Sequence, residues 1–268
     1  LLSTNHASST ITGSINNNST LVELKANDTS STVTGSINSN NTLQKLHLAY
    51  TNSTVTGSIA SNNRLTDLRL HSSGSTITGS IASNSTLTIL YLNTTNSNVT
   101  GSINDNNTLE HLELIDCVSS TITGSIASNS TLINLKLNST NSTITGSIDD
   151  NNRLTKLLLS DTNSNVTGSI DNNAILVNLV TASTNSTITG SIDNNNRLTL
   201  LNLNSTNSTI TGSIDNNNRL IYFNVSATNS NVTGSLNNNN VIMELLLGTT
   251  NSTITGTLTS HLKRLNLN

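Results

Sequence analysis

The sequence predicts an all-β fold: a β-solenoid of about twelve 22-residue coils, with one flat threonine-rich parallel sheet and one leucine-rich sheet. Three observations carry the prediction. A phrase of the form Thr-Ile-Thr-Gly-Ser-Ile returns twelve times, its glycine at Gly13, Gly35, Gly57, Gly79, Gly101, Gly124, Gly146, Gly168, Gly190, Gly212, Gly234 and Gly256. The step is 22 residues except for the 23 between Gly101 and Gly124. Such a period marks a solenoid, in which neighbouring coils bury each other's apolar faces. Within each repeat the phrase alternates with period two, and a second segment follows the L-x-x-L-x-L pattern. We read residues 1–268 as a single solenoid domain, with the last coil shortened.

The elements of one coil can be justified in order. In Thr209-Ile210-Thr211-Gly212-Ser213-Ile214 the period-two pattern predicts a strand with one buried face. Ile210 and Ile214 then point inward with Gly212 between them, and Thr209, Thr211 and Ser213 point outward. Ser208 shares the inward parity, and every repeat has serine there. An inward file of Ser and Gly predicts a thin, flat sandwich. The fifth residue after the glycine is Asn in eleven coils, from Asn18, Asn40 and Asn62 to Asn239. Stacked amides can hydrogen-bond along the stack as an internal ladder, although Asn also satisfies turn geometry. Leu198-Thr199-Leu200-Leu201-Asn202-Leu203 supplies the second strand. The last corner is again rich in asparagine (Asn52, Asn141, Asn207).

Composition narrows the functional classes. Polar low-complexity sequence can signal disorder, but the regular Leu and Ile provide an apolar stripe to bury. With 32% hydrophobic residues, no Pro, no Trp and one Phe, the core has to be repetitive and closely packed. At a strand spacing of roughly 4.8 Å the rod would be about 55 Å long. A net charge of −3 with 9% charged residues gives no basic footprint for nucleic acid and no polybasic membrane anchor. No 18-residue apolar run is present, so no membrane span is expected. Cys117 is the only cysteine, which excludes an internal disulfide and leaves the redox compartment open. It lies in the 23-residue repeat, where a bulge is expected. The chain begins Leu1-Leu2-Ser3 in mid-coil, so we expect a removed leader or an excised fragment and a secreted or cell-surface protein. Sequons occur at Asn52, Asn141, Asn185, Asn207 and Asn251; glycans there would crowd the threonine strand, so we expect them to be bare.

The outward positions of the first strand are the clue to function. The second threonine of the phrase is present in all twelve coils: Thr12, Thr34, Thr56, Thr78, Thr100, Thr123, Thr145, Thr167, Thr189, Thr211, Thr233 and Thr255. The first is Thr10, Thr32, Thr54, Thr76, Thr121, Thr143, Thr187, Thr209 and Thr253, replaced every third coil by Asn98, Asn165 or Asn231. The third outward position is Ser in eleven coils and Thr257 in the last. Folding does not require this uniformity, because a solvated strand face tolerates charge and gains solubility from it. Thr has high β-propensity, and recent duplication would leave repeats alike. Yet the leucine-rich face, copied as often, has diverged: Glu23/Lys25, Lys45/His47, Asp67/Arg69, Ile89/Tyr91 and His111/Glu113. Some partner constrains the threonines, and one that demands the same group at fixed intervals in two directions is itself a lattice.

The twelve Thr-Ile/Val-Thr and Asn-Val-Thr-Gly segments resemble those of β-solenoid ice-binding (antifreeze) proteins, whose coils carry T-x-T on one flat face. Asn231-Val232-Thr233-Gly234 is also similar to the N-x-V-x-G repeat of grass ice-binding proteins. The resemblance implies adsorption to ice through ordered water on the threonine columns, inhibiting ice growth or recrystallisation. Ile-Thr-Gly-Ser-Ile followed by L-x-x-L-x-L resembles plant-type leucine-rich repeats, though Pro is missing and the spacers differ. That resemblance implies protein or glycan binding by the varied face carrying Lys45, Asp67, Arg69, Tyr91 and Glu113. A structural filament or adhesin spacer is the third alternative.

Catalysis and cofactors are not expected. Asp149, Asp171, Asp193 and Asp215 stack at one corner, and Arg153, Arg197 and Arg219 follow three of them. Ca²⁺ could enter such a stack, but solvated ion pairs are the commoner outcome, so no metal site is assigned. His6, His47, His71, His111 and His261 never gather at ligand spacing, and no nucleophile-base pair can be nominated. The first coil lacks a polar cap, while His261, Lys263 and Arg264 suggest a partial cap on the last. Flanking domains or end-to-end self-association remain open.

Overall fold

The computed structural model describes residues 1–4, 9–26, 30–48, 52–70, 73–92, 95–160, 162–182, 184–203, 206–225, 228–247, 253–255 and 263–267. His6, His71, Asn251, Ser252, Gly256, Thr257, His261 and Leu262 lie outside them. The chain is a parallel β-solenoid. Strands of the L-x-x-L-x-L segments form a 13-stranded sheet, and those of the threonine segments a 12-stranded sheet. In both, each strand between the two end strands pairs with its equivalents in the preceding and following coils, as in Thr187↔Thr209 and Thr209↔Asn231.

A third side departs from the flat two-faced sandwich that the sequence suggested. Ile37–Asn38, Ile59–Ala60, Ile81–Ala82, Ile103–Asn104 and Ile126–Ala127 form a separate five-stranded sheet between the other two. The threonine strands stop at the second threonine or one residue before it, as in Thr209–Thr211. The glycine that follows is a corner, not an inward residue of a continuing strand. A Cβ at Gly124 would lie 2.5 Å from the Gly101 carbonyl carbon and the Ser102 nitrogen. The glycine backbones stack directly on one another, leaving no space for a side chain. The chain turns there, so the serine after it belongs to the third side.

Both isoleucines nevertheless point inward. Ile210 and Ile214 are fully buried with Leu198, Leu201 and Leu203, and equivalent residues from all three sides form one core along the stack. The inward serines are buried as expected, Ser53, Ser97 and Ser208 completely. The Ser97 N–H donates to Ser120 Oγ at 3.1 Å.

The asparagine column is an internal ladder. Asn40, Asn62, Asn84 and their successors to Asn239 are fully buried. Each Oδ1 accepts the backbone N–H of the asparagine one coil earlier, as Asn84 does from Asn62 at 3.0 Å. Each Nδ2 donates to an isoleucine carbonyl of the earlier coil, as Asn40 does to Ile15 at 2.7 Å. The ladder thus satisfies buried backbone groups at a corner where the sheets cannot. The opposite corner uses left-handed backbone, with φ of 60° at Asn52, 58° at Asn141 and 59° at Asn207, a conformation Asn tolerates. The exposed amides stack too, Asn207 Nδ2 donating to Asn185 Oδ1 at 2.9 Å.

The extra residue of the 23-residue repeat falls in the leucine-rich sheet. Strand His111–Val118 shifts register against Asn134–Thr140 between Ile115 and Val118. Cys117 therefore lies in a bulge, as its repeat length predicted.

Candidate binding face

The threonines named from the sequence come together on the outer side of the 12-stranded sheet. The column from Thr12 to Thr255 is exposed in every coil. In the other column, Thr32, Thr54, Thr76, Thr121, Thr143, Thr187 and Thr209 are half-buried, and Thr10 and Thr253 are exposed. Their pairing is in register from Thr10↔Thr32 to Asn231↔Thr253. It stays so across the long repeat, where Asn98 still faces Thr121, because the bulge takes up the extra residue on another side.

The asparagines interrupting the first column tie coils together. Asn98 Oδ1 accepts both the N–H and the hydroxyl of Thr121, at 3.1 and 2.8 Å. Asn165 treats Thr187 the same way, at 2.9 and 2.8 Å. An amide in this column thus fixes the next threonine's rotamer, which sequence reading missed.

The third expected column is not on this face. Ser213, beyond the glycine corner, donates its hydroxyl to Asp193 Oδ2 at 2.6 Å. The same bond joins Ser169 to Asp149, Ser191 to Asp171 and Ser235 to Asp215. The other carboxylate oxygen accepts a backbone N–H from the next coil, as Asp171 Oδ1 does from Asp193 at 2.8 Å. These aspartates are therefore not the expected ion pairs: among the described residues Arg153, Arg197 and Arg219 form none. Asn16, Asn38 and Asn104 accept the corresponding N–H elsewhere, at 2.9, 2.9 and 3.0 Å. An acceptor at this corner caps a backbone donor, and Asp adds a second acceptor for serine. Burial pushes the Asp171 carboxyl above its ordinary 3.8; the Ser191 hydroxyl and Asp193 N–H oppose this, and the Asp193 and Asp149 charges add to it. Among the described residues no group of three or more His, Cys, Asp and Glu is placed to hold a metal ion.

On the outer face of the leucine-rich sheet several neighbouring charges pair. Arg69 Nε donates to Asp67 Oδ1 at 2.5 Å, and its guanidinium lies 5.6 Å from the centre of the Tyr91 ring. Lys136 pairs with Glu113 at 2.9 Å. Further along, Leu200, Tyr222, Asn224, Glu244 and Leu246 line a shallow notch. Among the described residues no helix is long and apolar enough to cross a membrane.

Fold and face together define a parallel β-solenoid with stacked asparagine and threonine columns. No protein-family model matches the chain, and comparison with curated proteins and with solved structures finds no similar one.

Proposed function

We propose that the protein adsorbs to ice through its two threonine columns and thereby inhibits ice growth or recrystallisation. The observation that carries this reading is the unbroken register of the 12-stranded sheet, maintained because the bulge at Ile115–Val118 sits on another side. A regular lattice needs a regular partner, and adjacent coils repeat at roughly 4.8 Å. Threonine suits the task. Its β-branch restricts χ1, so little side-chain entropy is lost on binding. Its methyl orders nearby water while its hydroxyl anchors it. Contacts that are individually weak become effectively permanent when many rigid ones act together. On this reading no substrate is turned over, and a secreted or cell-surface location follows.

The correction to the corner reduces the grid from three columns to two. It leaves the one-dimensional repeat along the stack intact. Thr167→Tyr and Thr189→Tyr put bulk into the exposed column and should abolish ice shaping while the rod stays folded. Lys156→Ala, on the leucine-rich face, should leave ice shaping intact. Tyrosine variants that shape ice like the parent would refute the assignment of this face.

A further inference from the structure

The exposed threonine column changes its chemistry halfway along the rod. From Thr78 to Thr145 its hydroxyl protons are engaged by the protein itself. Thr100 Oγ1 donates to the Thr78 carbonyl at 2.7 Å, Thr123 to Thr100 at 2.6 Å and Thr145 to Thr123 at 2.9 Å. Thr78 donates likewise to Thr56. From Gly168 onward the pattern is different. The carbonyls of Thr189, Thr211, Thr233 and Thr255 receive the N–H groups of Gly168, Gly190, Gly212 and Gly234, at 2.8, 2.8, 2.9 and 2.9 Å. The hydroxyls of Thr167, Thr189, Thr211 and Thr233 have no hydrogen-bond partner among the described residues.

This change coincides with the start of the aspartate stack. Asp149 is the first of the four, and Ser169, beside Gly168, is the first serine bonded to one. Drawing that serine toward the carboxylate of the preceding coil re-orients the peptide at the glycine. Gly190, Gly212 and Gly234 accordingly have φ of 148°, 145° and 151°, unlike Gly79, Gly101 and Gly124. The Gly168 and Gly190 N–H groups then reach the Thr189 and Thr211 carbonyls that the Thr211 and Thr233 hydroxyls would otherwise take. Where the corner residue is Ala60, Ala82 or Ala127, no carboxylate is present and the threonine hydroxyl of the following coil, Thr78, Thr100 or Thr145, turns back onto the backbone.

We propose that the aspartate-backed coils are the high-affinity segment of the adsorption face, with Asp149, Asp171, Asp193 and Asp215 as positioning residues that leave the threonine hydroxyls available to the lattice. The proposal rests on the ice-adsorption reading. Two fourfold valine variants test it in ice-affinity partition and thermal hysteresis: T78V/T100V/T123V/T145V and T167V/T189V/T211V/T233V. Valine keeps the branched shape, and circular dichroism checks that both rods fold. The second set should weaken adsorption by about fivefold for each unpaired hydroxyl removed, and the first set by clearly less. Equal losses, or a larger loss in the first set, would overturn the proposal while leaving the adsorption reading in place. A parent chain without ice affinity would overturn both.

The positioning role has its own readout. D171A/D193A installs at two corners the alanine that Ala60 and Ala82 already carry, so folding should persist. The hydroxyl proton of Thr233 should then exchange with water more slowly by NMR, as it engages the Thr211 carbonyl released by the Gly190 N–H. Unchanged exchange would show that the carboxylates do not control the hydroxyls.

Discussion

The side-chain oxygen of Asn84 accepts the backbone N–H of Asn62 at 3.0 Å, and its Nδ2 reaches back to the Ile59 carbonyl at 2.9 Å. One fully buried side chain thus satisfies a donor and an acceptor of the preceding coil. Repeated through the stack, this relationship holds the corner between the third side and the leucine-rich sheet. Asn84→Ala strands both backbone groups, each costing about 1–3 kcal/mol when buried. Denaturant unfolding should therefore show a loss of roughly 2–6 kcal/mol. Asn18→Ala, at the partly buried end of the ladder, should cost less.

Glycine at the stacked corner is the least replaceable residue of the phrase. Gly124→Ala sets a Cβ 2.5 Å from the Gly101 and Ser102 backbones, and backbone cannot yield as a side chain can. The expected loss exceeds about 4 kcal/mol, in the range reserved for severe steric faults. Gly74→Asn is the contrasting change. At φ 76° it occupies the corner where Asn52 and Asn96 sit at φ 60°, and the added Cβ meets the end of the Asn52 side chain, which can shift as backbone cannot, so thermal unfolding should shift little.

Two carboxyls should respond to acid with opposite signs. Asp171 titrates above its ordinary 3.8, chiefly through burial, so its favourable contribution is present at low pH and lost as pH rises through the raised value. Glu23 titrates below its ordinary 4.5, chiefly through the hydrogen bond from Lys25, so its contribution is lost as pH falls through the lowered value. Between about pH 6 and about pH 4, the parent should gain thermal stability relative to Asp171→Ala. A constant difference in melting temperature across that window would contradict the burial argument.

The ion pairs of the leucine-rich face should matter little. Arg69 is about a third exposed and Asp67 less so, with side-chain accessibilities of 33% and 15%. Arg69→Ala should cost about 1 kcal/mol or less, falling further at high salt. A loss of several kcal/mol in denaturant titration would mean that the contact with Tyr91 is structural.

Much of this architecture was legible in the residues because stacking makes columns. A fixed Asn in the same place of successive coils reads as a ladder, and the 23-residue repeat reads as a bulge near Cys117. The corner at Gly212 was not legible. Thr209, Ile210, Thr211, Ser213 and Ile214 keep the same alternation whether the chain runs straight or turns, and a glycine carries no side chain to reveal parity. For the same reason Ser213 was assigned to the threonine face, when it bonds Asp193 on the adjacent side. The aspartates were misread for a different cause. Charge spacing pointed to Arg153 and Arg197, whereas the acceptors are taken by serine hydroxyls and backbone N–H groups of the next coil. The direction in which each threonine hydroxyl donates depends on those bonds and leaves no trace in a column of identical residues.

The most direct test of the adsorption reading is an ice-affinity partition of the unmodified chain: a solution is frozen slowly and the protein in the ice is compared with that left in the liquid. Adsorption through the threonine columns predicts enrichment in the ice, abolished by Thr189→Tyr. Exclusion of the unmodified, folded chain from the growing ice would contradict it.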